Sequence, residues 1–434
     1  MFLRILSSLA IAAMLAACSP VGERGTFVSK ETGRRIGHSA KLKGNPREAS
    51  WPHGVPIGIA LSQEQAVAVA LWNNADFQSA LADLGLARAD VITARQLPNP
   101  TLSVLFPLGP KQLEFIARFP LDAWVLRPQR VAAANLDYEA VSQKLVQGGL
   151  DLARDMKLAC TAVALAREKL RLAREAGVIF RKMSEVAEAR QRAGDTGELE
   201  TAQARSEASL AGQEIARLEH DERLALDKAR TLSGLALAGV SFDLKTPPMP
   251  SRSVRSADAL LREALAARPD MRAAELNIEA AGKRARLAKA EVLQITGAFD
   301  ANGSGRNFES GPGLDVTLPI FHQNQGGRAL ADARVAKSVR AAVAVRDRIA
   351  GEVRQAHARV AQARAVSDGW SRALPELQTA LDRARSAVEL GNSPQLIALD
   401  AARRMVEARS KAADTTAHLR DAWAELERAV GHRL

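Results

Sequence analysis

The chain states one long pattern twice. Gly194-Asp195-Thr196-Gly197-Glu198-Leu199 is echoed by Gly391-Asn392-Ser393-Pro394-Gln395-Leu396, and Gly234 by Gly431, each pair 197 positions apart. Around these anchors both halves read as helix, strand pair, long helix, turn and returning helix. A unit of about 180 residues far exceeds the 20 to 50 of a stacked solenoid repeat, so it marks a duplicated half-molecule. The first repeat covers 61–234 and the second 256–434. Residues 235–255, with Pro247, Pro248 and Pro250, link them.

Ahead of the repeats, Arg4 precedes an apolar run that ends in Leu15-Ala16-Ala17-Cys18-Ser19. The run is too short to span a bilayer and closes on small residues, so 1–17 reads as an export signal peptide. The ending resembles a bacterial lipobox. That resemblance implies that Cys18 becomes the acylated, palmitate-bearing first residue, and that Ser19 rather than Asp sends the protein to the outer membrane. Residues 18–60, broken by Pro46, Pro52 and Pro56, are expected to form an extended tether. Cys160 is the only other cysteine, so a lipidated chain has no disulfide, and Cys160 reads as a packed apolar residue.

Hydrophobic residues make up 47% of the chain but aromatics only 4%. Ala, Leu and Val therefore carry the apolar content, which suits long helices in close contact. The net charge of +11 is spread as Arg and Lys alternating with Asp and Glu along helical runs. That is the pattern of a solvated face, and with export it argues against nucleic acid. No catalytic motif, phosphate loop or zinc spacing occurs, and the seven His are scattered, so the chain reads as a non-enzyme with no metal site or cofactor beyond the lipid.

Ser62 and Gln65 form a capping-box pattern that opens a helix over 63–96, stopped by Pro98-Asn99-Pro100. Strands are predicted over 101–108 and 111–121 around Gly109-Pro110. In the second of these, Phe115, Ala117 and Phe119 alternate with Glu114, Ile116 and Arg118. The second repeat predicts a helix over 256–292 and strands over 294–307 and 313–321, with Ile295, Gly297, Phe299 and Ala301 alternating against Thr296, Ala298, Asp300 and Asn302.

Long helices follow over 130–193 and 328–390, each about 95 Å at 1.5 Å per residue. Leu152, Met156, Ala159, Val163, Ala166, Leu170 and Ala173 form a heptad seam in the first. Val335, Val339, Ala342, Ile349, Val353, Ala356 and Val360 do so in the second, where Pro375 predicts a kink. Helices over 197–233 and 395–430 return. The fold class is therefore mainly α with a small β part.

Alternating strands of this length suit an outer-membrane barrel, but four strands cannot close one. Three copies supply twelve strands and a ring of helices. The expectation is a homotrimeric conduit with four transmembrane β-strands per protomer and a long α-helical coiled-coil barrel. The alternative is a lipid-anchored periplasmic scaffold or adaptor without a pore.

The chain resembles the TolC-like outer membrane efflux proteins in Leu61-Ser62-Gln63-Glu64-Gln65-Ala66, Leu97-Pro98-Asn99-Pro100-Thr101-Leu102, Gly313-Leu314-Asp315-Val316-Thr317-Leu318-Pro319 and Ala424-Glu425-Leu426. That resemblance implies an outer-membrane channel of a tripartite efflux or type I secretion system, working with a periplasmic adaptor and an inner-membrane pump. It also implies adaptor-docking tips at Gly194, Thr196, Leu199, Gly391, Ser393 and Leu396. A mouth lined by Asp400 follows from the same likeness, with Glu200 and Gln203 at the first-repeat equivalents, although Ile397 replaces a second expected acid. Phe321-His322-Gln323-Asn324-Gln325-Gly326-Gly327 resembles the corner of the heavy-metal efflux branch, which makes metal ions a candidate cargo beside drugs.

Overall fold

The computed structural model describes residues 25–434 apart from 46, 57, 107–112, 251–252, 305–306 and 391. The signal peptide, Cys18, the Gly109-Pro110 turn and Gly391 lie outside the described residues. The elements in chain order are α1 (Gly25–Ile36), α2 (Gln63–Asn73), α3 (Ala75–Arg95), β1 (Thr101–Leu105), β2 (Glu114–Pro120), α4 (Leu121–Ala193), α5 (Glu198–Leu232), α6 (Ala257–Ala267), α7 (Pro269–Ala290), β3 (Ile295–Ser304), β4 (Asn307–Val316), α8 (Gln325–Glu389) and α9 (Gln395–Val430). The duplication is visible in this order: α2 to α5 and α6 to α9 run through the same sequence of elements. The mainly helical fold with four strands is the one the sequence predicts.

The chain divides into two compact units, one of 1–28, 80–146 and 268–348, the other of 29–79, 147–267 and 349–434. The first holds a four-stranded antiparallel sheet in the order β1-β2-β3-β4. Pro120 ends β2, and α4 begins at the next residue, nine residues earlier than the sequence suggested. Pro128 lies in the second turn of α4, where the lost N–H costs one bond and leaves the helix intact. β4 also departs from expectation. It occupies Asn307–Val316 rather than 313–321, and so includes Gly311 and Pro312, which fall between the predicted strands. Pro312 is tolerated because β4 is an edge strand. The corner after β4 turns at Asn324 (φ 54°), whose Nδ2 donates to Ala288 O at 2.9 Å. A Cβ on Gly327 would come within 2.2 Å of the Asn324 Oδ1, so this glycine has a structural role in the corner.

Each repeat splits its predicted opening helix in two. At Asn74 (φ −58°, ψ 122°) the backbone leaves the helix and the side chain accepts from Phe77 N at 2.9 Å, starting α3 afresh. At Arg268 the following Pro269 forces an extended residue (φ −66°, ψ 132°) and then serves as the first residue of α7.

In the second unit, Ser62 and Gln65 make the predicted capping box, and Ala66 to Leu71 are all buried. Residues 18–60 are not a simple extended tether, since α1 occupies part of them. Thr32, Arg35 and Ile36 are buried there, with Ala40 N donating to Thr32 Oγ1 and Arg35 Nη1 donating to Gly431 O. The 235–255 segment is likewise held. Leu61 N donates to Asp243 O and Lys245 N to Leu61 O, while Arg167 bonds Glu222, Asp243 and the Leu244 carbonyl.

The α4 seam is buried at Leu152, Met156, Ala159, Val163, Leu170 and Ala173. On α9 the small residues Ala408, Ala417, Ala422 and Ala424 are buried as well, in keeping with the Ala-rich composition. Ion pairs cross between these helices from Asp151–Arg428 (2.8 Å) and Lys157–Glu427 (2.6 Å) to Lys169–Asp414 (2.6 Å) and Glu175–Arg409 (3.6 Å). Exposed members add little individually. Lys157 and Glu427, 12% and 11% exposed, are shielded and add more. Cys160 is buried, and burial pushes its thiol up to about 12, in keeping with a packed, unreactive residue. On α8 the seam is buried at Ile349, Val353, Ala356 and Val360, but Val339 is exposed, and the helix runs unbroken through Pro375.

Gly234 is the tightest glycine. It has φ +71°, and a Cβ there would stand 2.0 Å from Asn73 O. Gly234→Ala is expected to destabilise by more than the roughly 1–3 kcal/mol of backbone strain alone. A thermal unfolding midpoint equal to that of the unsubstituted protein would contradict this placement.

Candidate conduit surfaces and helical tips

The register of the sheet sorts its side chains by chemistry. Leu102, Ala117, Phe299 and Pro312 stand opposite one another across the four strands, as do Val104, Phe115, Ala301 and Ser310. Phe119, Gly297 and Leu314 form a third row, and Ile295 faces Val316. Because side chains alternate along a strand, these rows share one face, and that face is apolar apart from Ser310. Leu102, Phe119, Phe299, Leu314 and Val316 on it are exposed. Among the described residues they are left uncovered, as the outward face of a membrane strand would be.

The other face carries Thr101, Ser103, Arg118, Glu114, Asp300, Thr296, Asn302, Glu309 and Asp315, with Leu105, Ile116, Pro120 and Ala298 as apolar residues among them. Arg118 is engaged by Asp315 (3.7 Å) and Ser103 (3.5 Å). Glu114, Asn302 and Glu309 share a row at the end of the sheet farther from α4, and Asp300 follows in the next row. Four carboxylates thus stand against one guanidinium among the described residues of this face. The sequence alternation revealed Asp300 and Glu114. Glu309 was missed because the strand was predicted to begin at 313, and Asp315 lay within the predicted strand without being assigned a face, although Ser310, Pro312, Leu314 and Val316 carry the period-two signal.

The second unit contains both hairpin turns. At the first, Gly194 adopts φ +83°, Gly194 N donates to Gln191 O and Asp195 N to Arg190 O, a C-terminal helix cap. Thr196 Oγ1 donates to Glu200 Oε2 at 2.5 Å, so Glu200 is tied into the turn. Gln203 is exposed, and Leu199 is 74% exposed. At the second turn Asn392 N donates to Ala387 O, the counterpart of the Asp195 bond. Ser393 is half-buried, and Leu390, Leu396 and Ile397 are exposed. Ala187 and Ala204 of the first hairpin join Leu381, Leu399, Ala402 and Met405 of the second in one core cluster, so the structure brings the two hairpins together behind their tips.

Asp400 lies on this part of α9, half-exposed. Its carboxylate pairs with Arg404 (2.8 Å) and Arg403 (3.9 Å), and Arg403 also reaches Glu207 on α5 (3.9 Å). Asp400 is therefore embedded in local positive charge.

Comparisons with known proteins agree with this architecture. Residues 260–432 match the family model for outer membrane efflux proteins. The cobalt-zinc-cadmium resistance protein CzcC of Cupriavidus metallidurans is 24% identical over 376 residues, spanning 84% of this chain and 86% of that protein. Among solved structures, CusC superposes with a TM-score of 0.73 at 20% identity, covering 90% of this chain and 98% of CusC. VceC of Vibrio cholerae gives 0.72 at 17% identity, covering 86% and 96%. The open state of MtrE from Neisseria gonorrhoeae gives 0.70 at 18%, covering 90% and 96%. The second repeat is thus similar to outer membrane efflux proteins, and the fold is the one shared by CusC, VceC and MtrE.

The sorted faces make a direct prediction. Phe299→Asp places a charge on the apolar face, at a cost of about 2–4 kcal/mol in lipid, and is expected to abolish outer-membrane assembly. Ala298→Asp, one residue along on the polar face, is expected to assemble. Equal membrane yields of the two variants would contradict the assignment of faces.

Proposed function

We propose that the protein is the outer-membrane channel of a tripartite efflux system, a passive conduit with no chemistry of its own. The supporting observation is the sheet, which has one apolar face, one polar face and two open edges. Unpaired backbone groups in hydrocarbon cost several kcal/mol each, so a lipid-embedded sheet has to close. Three copies supply twelve strands, and the homotrimer is the oligomer this reading requires. The exposed Leu199, Leu390, Leu396 and Ile397 suit the hairpin tips to receive a periplasmic adaptor that leads to an inner-membrane pump. Gly194, Thr196 and Ser393 belong to those turns, and Gly391 is proposed as a docking residue with them.

Cationic cargo, metal ions among them, is favoured by the acid excess on the polar face and by the likeness to a cobalt-zinc-cadmium resistance protein. The chain conducts such ions without a fixed chelate. No group of three or more potential metal ligands occurs among the described residues, and a conduit needs weak, multiple contacts for release. Asp400, set against Arg403 and Arg404, is proposed as a mixed-charge residue of the periplasmic mouth. Glu200 and Gln203 are its first-repeat counterparts. Cys18 is proposed as the lipidated residue. Loss of radiolabelled palmitate from Cys18→Ser is the expected result, and retained label would refute it.

Reconstitution in planar bilayers tests the conduit. Cation-selective conductance is expected, with selectivity reduced in Glu114→Gln/Asp300→Asn/Glu309→Gln and conductance raised in Asp400→Ala. Absence of conductance would remove the channel reading. Unchanged selectivity or conductance in the variants would remove only the corresponding residue roles.

A further inference from the structure

Within the second unit, two cavities of about 490 Å³ and 580 Å³ share a single lining residue, Arg420 of α9. One is walled by Met249, Pro248 and Pro250 of the linker, with Trp423 and Lys157. The other is walled by Thr246, Leu374 and the alanines of α4 and α9. Arg420 therefore stands where the linker crosses α9.

The other cations around the two cavities are compensated. Arg167 is held by Glu222 and Asp243, Arg171 by Glu168 and Glu175, Arg409 by Glu175 and Gln378, and Lys157 by Glu427, while Arg433 lies 3.7 Å from Glu64. Arg420 differs. Its Nε is buried with no hydrogen-bond acceptor. The adjacent Asp421 acts on it only through space: its carboxyl is engaged by Thr161 of α4 and keeps one buried oxygen of its own without a partner. Folded proteins seldom leave a buried donor unmet, and a guanidinium beside a cavity presents the fork geometry that oxyanions fill.

We propose that Arg420 binds a small free oxyanion of the carboxylate, sulfate or phosphate class, which ties the linker between the two repeats to α4 and α9. The site is independent of the conduit and requires no transport.

Sulfate is the probe, because its charge is constant across neutral pH. The full-length protein in detergent is unfolded thermally in sodium sulfate and in sodium chloride of equal ionic strength. Sulfate is expected to raise the midpoint saturably above chloride in the unsubstituted protein and in Arg433→Met, and to lose that excess in Arg420→Met. An equal sulfate excess in Arg420→Met would reduce the effect to general salting and overturn the site. So would a lower midpoint in Arg420→Met with no sulfate response in the unsubstituted protein, which would assign the partner to a carboxylate of another copy. Should Arg420→Met fail to fold, equilibrium dialysis of labelled sulfate against the unsubstituted protein decides. Saturation near one ion per chain, displaced by acetate or phosphate, supports the site, and no retained sulfate refutes it.

Discussion

The unpaired edges of the sheet govern the rest of the account. β1 and β4 each leave one row of N–H and C=O groups without a partner in the chain. In water such edges invite aggregation, and in lipid they are prohibitive. On the proposed function the apolar face built from Leu102, Phe119, Phe299 and Leu314 meets lipid, and closure by further copies then follows. The polar face, with Arg118 neutralised by Asp315 and the acids Glu114, Asp300 and Glu309 left over, becomes a lining by the same geometry.

The helices meet a different requirement. α4 and α8, of 73 and 65 residues, are too long to be held by propensity alone, so they rely on neighbours along their length. Small residues are buried on both α4 and α9, and ion pairs from Asp151–Arg428 to Glu175–Arg409 fix the register. Arg420 and Asp421, beside the linker, each keep a buried side-chain atom without a hydrogen-bond partner. Among the described residues no helix is long and apolar enough to cross a membrane.

Much of this was legible in the residues because local chemistry and tertiary role agree. Gly431 closes α9 in the left-handed conformation, and Ser62 and Gln65 cap α2, as their types predict. The misreadings have physical causes. Asn74 interrupts a helical pattern through a side-chain cap that is not distinguishable from a mid-helix Asn by composition. The Arg268-Pro269 signal was present, but Pro at a helix start also fits a continuous reading with a kink. Gly311-Pro312 has turn composition yet lies in an edge strand, where tertiary pairing overrides propensity. Helix α1 was hidden by the Gly and Pro of its surroundings, and its burial depends on contacts such as Arg35 with Gly431 that are distant in sequence. At the candidate mouth Asp400 was visible, while its pairing with Arg403 and Arg404 follows from helical spacing and was open to the same reasoning.

A three-dimensional electron-microscopy reconstruction of the detergent-purified full chain tests the central claim most directly. The account predicts three copies related by threefold symmetry, with twelve strands closed around a water-filled bore and the Phe299 face turned outward. A single copy with both sheet edges free, or an assembly with no bore, would contradict it.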